Sequence, residues 1–204
     1  MLDVERWTLD VLFLMIDPEV LLQGYRLGVF PMAMENAEIE WFSPDPRAIL
    51  PLKQFHVSHS LERLIRQKSF EIRINTSFTK VMEECAGRAE TWINPEIVES
   101  YVRLHQLGYA HSVEAWRNGK LAGGLYGVAI GGAFFGESMF HQVRDASKFA
   151  LWALIERMRN RRFVLLDIQW LTPHLKRFGA VEISRKQYLH LLGLAVNLTR
   201  RFVD

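Results

Sequence analysis

Apolar positions recur along this chain with periods of 3.6 and 2, and the pattern breaks at Gly, Pro and capping residues. The segment from Asp17 to Gly28 reads as a helix, with Asp17 as cap, Pro18 at the first helical position and Gly28 as stop. Phe30-Pro31 and Ser43-Pro44-Asp45-Pro46 force extended or turn backbone. Ser58 or Ser60 caps a short helix through Leu61, Leu64 and Ile65. Phe70 to Ile74 alternates apolar and charged residues, the pattern of a strand with one buried face. Helices follow from Ser77 to Ala86 and from Asn94-Pro95 to Gly108, the second carrying Ile97, Val98, Tyr101, Leu104 and His105 near helical spacing. Three strands over about 109–117, 120–130 and 132–140 are joined by Asn118-Gly119 and Gly131-Gly132, which supply the positive φ that tight hairpins need. Asp145 or Ser147 then caps a long helix through Phe149, Leu151, Trp152, Leu154 and Ile155. Phe163 to Ile168 is almost wholly apolar, as in a strand buried on both faces. Thr172-Pro173 starts a short helix ending near Gly179, and a strand at 180–184 and a terminal helix close the chain.

From residue 70 the order is strand, two helices, three-strand meander, helix, strand, helix, strand. The expected fold class is therefore α/β (α+β): a mixed sheet flanked by helices, matching the GNAT-type acyltransferases. In such folds the central strands splay and the acyl donor enters the opening; fold alone does not assign an activity. An acetyl-CoA enzyme also needs a Gly-rich loop that wraps a pyrophosphate with backbone N–H groups. Here the corresponding link, His141-Gln142-Val143-Arg144-Asp145-Ala146-Ser147, has no glycine, so the donor is expected to be something other than CoA.

Composition narrows the classes further. Of 204 residues, 49% are hydrophobic and 24% charged, and the mean hydropathy is -0.01, which excludes a disordered chain. No apolar run is long enough for a bilayer, and no export signal precedes the first helix. A lone Cys85 fits a reducing compartment, so the expected location is the cytoplasm. The net charge of +2 hides an asymmetry: residues 144–204 carry 12 Lys and Arg against 5 Asp and Glu, leaving 13 against 18 for the rest. The densest basic run is Arg157, Arg159, Arg161 and Arg162. It is either a helix end complementing the macrodipole or a patch that neutralises nucleic-acid phosphates.

Nine ordered segments carry a resemblance. They are Phe30-Pro31-Met32, Trp41 to Arg47, Phe55 to Ser58, Thr91-Trp92-Ile93, His111 to Trp116, Gly123 to Val128, Phe134 to Phe140, Ala146-Ser147-Lys148 and Leu166 to Gln169. Together the series, spanning about residues 20–190, resembles the bacterial leucyl/phenylalanyl-tRNA–protein transferases. The resemblance implies a GNAT-like catalytic domain, expected over 61–204, with a smaller N-terminal domain over 1–60, and an enzyme, monomeric and off the membrane, that needs neither cofactor nor metal. It takes Leu or Phe (Met being a third candidate) from aminoacyl-tRNA and joins it to an N-terminal Lys or Arg, marking the acceptor protein for degradation. Two departures stand out: a short segment before Ile16, and Met32 where relatives have an aromatic residue.

The implied reaction is aminolysis of an activated ester, in which an α-amino group loses a proton, attacks the aminoacyl carbonyl and expels a ribose oxygen. Asp167 and Gln169, two apart on one strand, share a face near its end. Asp167 attracts the proton with Gln169 as relay or orienting group, or else the tRNA's ribose hydroxyl shuttles it and Asp167 binds the acceptor's cation. A plainer role for Asp167, capping a turn, is set against the cost of burying an acid in Leu165-Leu166-Asp167-Ile168 without a partner. Glu137, in an apolar strand, lies on an exposed face, pairs with Arg144 or, as the resemblance implies, contacts the donor's α-amino group or shapes the donor site. Gly136, which permits close approach of substrate, and Ser138 flank it.

Leu125, Phe134, Met139, Leu154 and Met158 are candidates for the aminoacyl pocket, where methionine adapts to both donors. Met32 and Trp92 stand near its entrance, Trp92 as the residue to stack on the terminal adenine. Each would also serve as an ordinary core residue. Arg144, Lys148 and the run Arg157, Arg159, Arg161 and Arg162 are the candidate tRNA contacts. His56, His105, His111 and His174 lack metal-like spacing, Cys85 has no activating neighbour, and neither a P-loop nor Gly-x-Ser-x-Gly occurs.

Overall fold

The structure, a computed structural model, describes residues 15–88 and 91–204. The segment before Met15, where the short N-terminus was noted, lies outside the described residues. Helix α1 (Pro18–Arg26) starts where Asp17 accepts hydrogen bonds from the Glu19 and Val20 N–H groups, and Gly28 follows its end at φ +79°. A hairpin of β1 (Phe30–Ala33) and β2 (Ile39–Phe42) comes next, then β3 (Arg47–Ile49) and α2 (His59–Arg66), which Ser58 caps. β4 (Glu71–Ile74), α3 (Phe78–Ala86) and α4 (Pro95–Gln106) lead into the meander β5 (Ala110–Arg117), β6 (Lys120–Ile130) and β7 (Ala133–His141). Asn118 and Gly119 both take positive φ at the first turn of the meander. The chain ends with α5 (Ala146–Asn160), β8 (Leu165–Gln169), α6 (Pro173–Lys176), β9 (Val181–Ile183) and α7 (Arg185–Val196), the last opened by a Ser184–Gln187 capping box.

The main sheet has seven strands in the order β4-β5-β6-β7-β8-β3-β9, with β1 and β2 forming a separate pair. Every pairing in it is antiparallel except β7 with β8. That parallel pairing covers only Ala133 to Phe135 against Leu165 to Asp167, although β7 runs on to His141. Past Phe135 the two strands part. The splay expected from the element order is therefore present, and it opens beside Gly136 and Glu137.

Apolar side chains cover both faces. One core packs α1, α3, α4 and α7 around Tyr101, Tyr126 and Phe135; the other packs α5 around Phe134, Leu154 and Leu166. Leu165 to Gln169 are all buried, as a central strand requires. The sequence pattern did not reveal the strands before residue 50. β3, inside the expected N-terminal domain, is a strand of the main sheet between β8 and β9. Three residues are too short for a period to register, and their strand character comes from the partners on either side. Among the described residues no helix is long and apolar enough to cross a membrane.

Candidate active site

The opening between β7 and β8 is a cavity of about 90 Å³. Leu125, Gly136, Ser138, Met139 and Leu154, all expected there, line it, together with Glu137. Tyr126, Leu151, Leu166, Ile168 and Leu175 complete its wall. Phe134 and Met158, expected in the same wall, are instead fully buried away from it. Phe134 packs against Phe202 with the rings tilted by 34°, while Met158, one helical turn beyond Leu154, reaches the core of α5. Met32 and Trp92 are half-buried and outside the lining, although their segments meet: the Ala33 N–H donates to the Trp92 carbonyl at 3.1 Å.

Asp167 points into the protein and is wholly buried. Its Oδ1 accepts from Arg47 Nε at 2.9 Å and from the Gln169 N–H at 2.9 Å; its Oδ2 accepts from Arg47 Nη2 at 2.6 Å and the Tyr188 hydroxyl at 2.7 Å. The partner that a buried acid demands is therefore Arg47, itself 1% exposed and held between the Phe30 and Tyr188 rings, each 4.6 Å from its guanidinium carbon. Burial opposes the guanidinium charge, but hydrogen bonding and attraction to Asp167 outweigh it and leave the Arg47 pKa above its usual value. With four donors on two oxygens, Asp167 has no lone pair turned to the cavity.

Glu137 is also a buried carboxylate, and unlike Asp167 it faces the cavity. Oε1 accepts from the Tyr25 hydroxyl at 2.8 Å and from Gln169 Nε2 at 3.1 Å, and Oε2 from the Tyr101 hydroxyl at 3.4 Å; the two tyrosine hydroxyls also touch each other. Burial pushes the carboxyl up to about 7, against the opposing pull of the Tyr25 and Gln169 hydrogen bonds. The alternative pairing with Arg144 does not form, since Arg144 lies beside Asp145 at 3.7 Å.

Gln169 joins the two carboxylates: its backbone N–H is fixed by Asp167 and its side-chain amide donates to Glu137. To do both it takes φ +64°, a conformation costly for a residue with a side chain and concentrated at working sites. Arg47, Tyr25, Tyr101 and Tyr188 were not singled out from the sequence. The signal for Arg47 was indirect, an acid in an apolar strand that required a cation. The tyrosines gave none, because their hydroxyls meet Glu137 and Asp167 only through tertiary packing.

The basic residues divide between the two ends of α5. Arg144 and Lys148 stand at its start, where Asp145 provides no side-chain cap and instead binds Lys148. At the far end Arg157 donates to the Phe202 carbonyl, Arg159 to Glu156 and the Leu52 carbonyl, and Arg161 to Asp204. Arg162, at φ +59°, ends the turn, and its carbonyl accepts from Arg200. These contacts tie the C-terminal tail to the helix. No group of three His, Cys, Asp or Glu able to hold a metal occurs among the described residues. Cys85 is buried, and burial raises its thiol to about 12, so it is no nucleophile.

Comparisons with known proteins complete the picture. The family model described as leucyl/phenylalanyl-tRNA protein transferase matches residues 49–193, and that of the family's N-terminal domain matches residues 15–45. A leucyl/phenylalanyl-tRNA–protein transferase from Herpetosiphon aurantiacus is 53% identical over 92% of this chain and 98% of its own. One of the same name from Gloeobacter violaceus is 51% identical over 92% of this chain and 97% of its own. Among solved structures, L-PGS from Bacillus licheniformis is similar at 12% identity and a TM-score of 0.41, over 74% of this chain and 49% of that one.

Proposed function

The chain belongs to the leucyl/phenylalanyl-tRNA protein transferase family, and from that premise we propose that it transfers Leu or Phe from aminoacyl-tRNA to the N-terminal Arg or Lys of a protein. The observation that carries the chemistry is Glu137, a buried carboxylate poised at about 7 on the wall of an apolar cavity. An acceptor α-amino group has a pKa of about 7.7–8.0, so a base near 7 is matched to take its proton. The amine nitrogen attacks the ester carbonyl, Glu137 takes the proton, and the carbonyl–ribose oxygen bond breaks. The departing ribose oxygen receives the proton, which regenerates the carboxylate. Asp167 and Arg47 act as positioning residues, fixing the Gln169 backbone so that its amide holds Glu137.

The donor side chain enters the cavity beneath Met139. At about 90 Å³ the cavity is smaller than the roughly 150 Å³ that accepts a benzene ring, so a Phe side chain requires Met139 to swing aside. Arg157, Arg159, Arg161 and Arg162 are left to a more distant part of the tRNA than its aminoacylated end. Trp92 and Met32 act on the adenosine from outside the cavity. For the domain division, the pairing of β3 supports a boundary between Asp45 and Arg47. The reading is of a monomeric cytoplasmic enzyme, free of cofactors, whose product is marked for degradation. Incubation of charged leucyl- or phenylalanyl-tRNA with a peptide beginning in Arg or Lys is expected to lengthen the peptide by one residue, read by mass spectrometry. No extension with either donor refutes it.

A further inference from the structure

Beside the aminoacyl cavity lies a second one of about 380 Å³, and Met139 lines both. Beside Met139 and Ser147 it is lined by His141 from the end of β7, Arg144, Asp145 and Lys148 from the start of α5, and His174 from α6. Asp145 holds Lys148 Nζ at 2.5 Å and lies 3.7 Å from the Arg144 Nε. Two cations and one carboxylate leave a charge of +1 before either imidazole is counted. The Arg144 side chain is 95% exposed, its guanidinium held only loosely by Asp145. Burial, with Lys148 and Arg177 nearby, keeps the His174 imidazole below its usual pKa, so it offers an N–H without adding a full charge.

Such a cavity suits one monoanionic, oxygen-rich group. On the transferase reading, on which this inference rests, that group has a necessary location. The amino acid is esterified to the ribose of the terminal nucleotide, and the phosphodiester on its 5′ side lies one sugar away. A cationic cavity one side chain from the aminoacyl cavity is within that reach. Arg157 lines neither of these two cavities and faces a separate one with Ile72, Ile74 and Trp152. It stands eleven residues after Ala146 on α5, about 16 Å along the axis from the helix start. We propose that His141, Arg144, Lys148 and His174 form the subsite for the phosphodiester of the donor's terminal nucleotide, so that the single-stranded end of the tRNA enters over the start of α5. Asp145 keeps the two cations in place and limits the charge to what one phosphodiester neutralises.

The test uses two inhibitors of transfer from charged tRNA, the phenylalanyl amide of adenosine and that of the dinucleotide cytidylyl-adenosine, which adds the phosphodiester. The wild type is expected to bind the dinucleotide at least tenfold more tightly, and this advantage is expected to shrink as salt is raised. Arg144→Ala and His174→Ala each cut the advantage three- to tenfold and leave the inhibition constant of the adenosine compound within twofold, which also reports intact folding. Equal binding of both compounds by the wild type, or equal weakening of both in the variants, overturns the subsite. Wild-type protein that extends no peptide from charged tRNA refutes the transferase reading itself, and the subsite with it.

Discussion

Replacing Asp167 by Asn separates a structural carboxylate from a chemical one. Every hydrogen-bonding neighbour of this side chain is a donor: Arg47 Nε and the Gln169 N–H on one oxygen, Arg47 Nη2 and the Tyr188 hydroxyl on the other. An amide keeps the shape but turns an NH2 group toward one of those pairs. Tyr188 can rotate its hydroxyl to accept, but Arg47 cannot, and its guanidinium is left charged at 1% exposure. Removing one partner of a buried ion pair costs about 3–5 kcal/mol, a large share of the roughly 5–15 kcal/mol that holds a domain together. For a chain of this size each kcal/mol is worth about 2–4 °C, so Asp167→Asn is expected to lower the melting temperature by roughly 6–20 °C. Urea unfolding followed by tryptophan fluorescence measures the loss directly. The double variant Arg47→Met with Asp167→Asn is expected to regain part of the stability, because it removes the unpaired charge, without regaining activity. The reasoning fails if Asp167→Asn unfolds like the wild type and loses only kcat, for then Asp167 acts on the substrate.

The same geometry fixes the outcome of substitutions at Glu137, Gly136 and Gly127. Because burial raises the Glu137 carboxyl to about 7, the stability it contributes is full below the unfolded value of a free Glu and is lost as pH rises through 7. Glu137→Gln is therefore expected to gain on the order of 3 kcal/mol over the wild type near pH 8.5 and much less near pH 5. Its transfer rate is expected to fall by about 10²–10⁴ and to lose the rise through pH 7; a variant less stable at pH 8.5, or one that keeps that rise, counts against Glu137 as the base. Gly136→Ala adds a methyl whose nearest neighbours, the Asp167 carbonyl at 3.5 Å and Leu166 at 3.8 Å, leave ordinary contact distance. It is expected to melt within about 2 °C of the wild type yet lose donor affinity about tenfold or more, and unchanged donor kinetics would show that substrate does not approach there. The same substitution at Gly127, whose Cβ would stand 2.2 Å from the Phe135 carbonyl, disrupts the bulge between β6 and β7 instead.

Of the fold, the parts legible in the residues were those with local causes. Asp17 and Pro18 announce α1, and Asn118-Gly119 announces the first hairpin of the meander, because caps and positive-φ turns are satisfied within a few residues. The apolar run ending in Asp167 announces a central strand. What stayed hidden depended on distant partners. β3 is a strand only because β8 and β9 flank it, and its Arg47 is the counter-charge to an acid 120 residues away. Phe134 and Met158 have the chemistry of pocket residues, and only packing turned them inward, away from the cavity that Leu125, Met139 and Leu154 line.

The sequence by itself determined that Asp167, Gln169 and Glu137 would be polar groups in apolar strands, and that burying them would demand compensation. It could not say which carboxylate would be neutralised. The tertiary structure decided that by giving Asp167 a guanidinium and two further donors, and Glu137 only uncharged hydroxyls and an amide. A charge in a low-dielectric interior is held by a counter-charge or loses its preference for ionisation. The first arrangement makes an anchor; the second makes a group that can take up and release a proton at neutral pH.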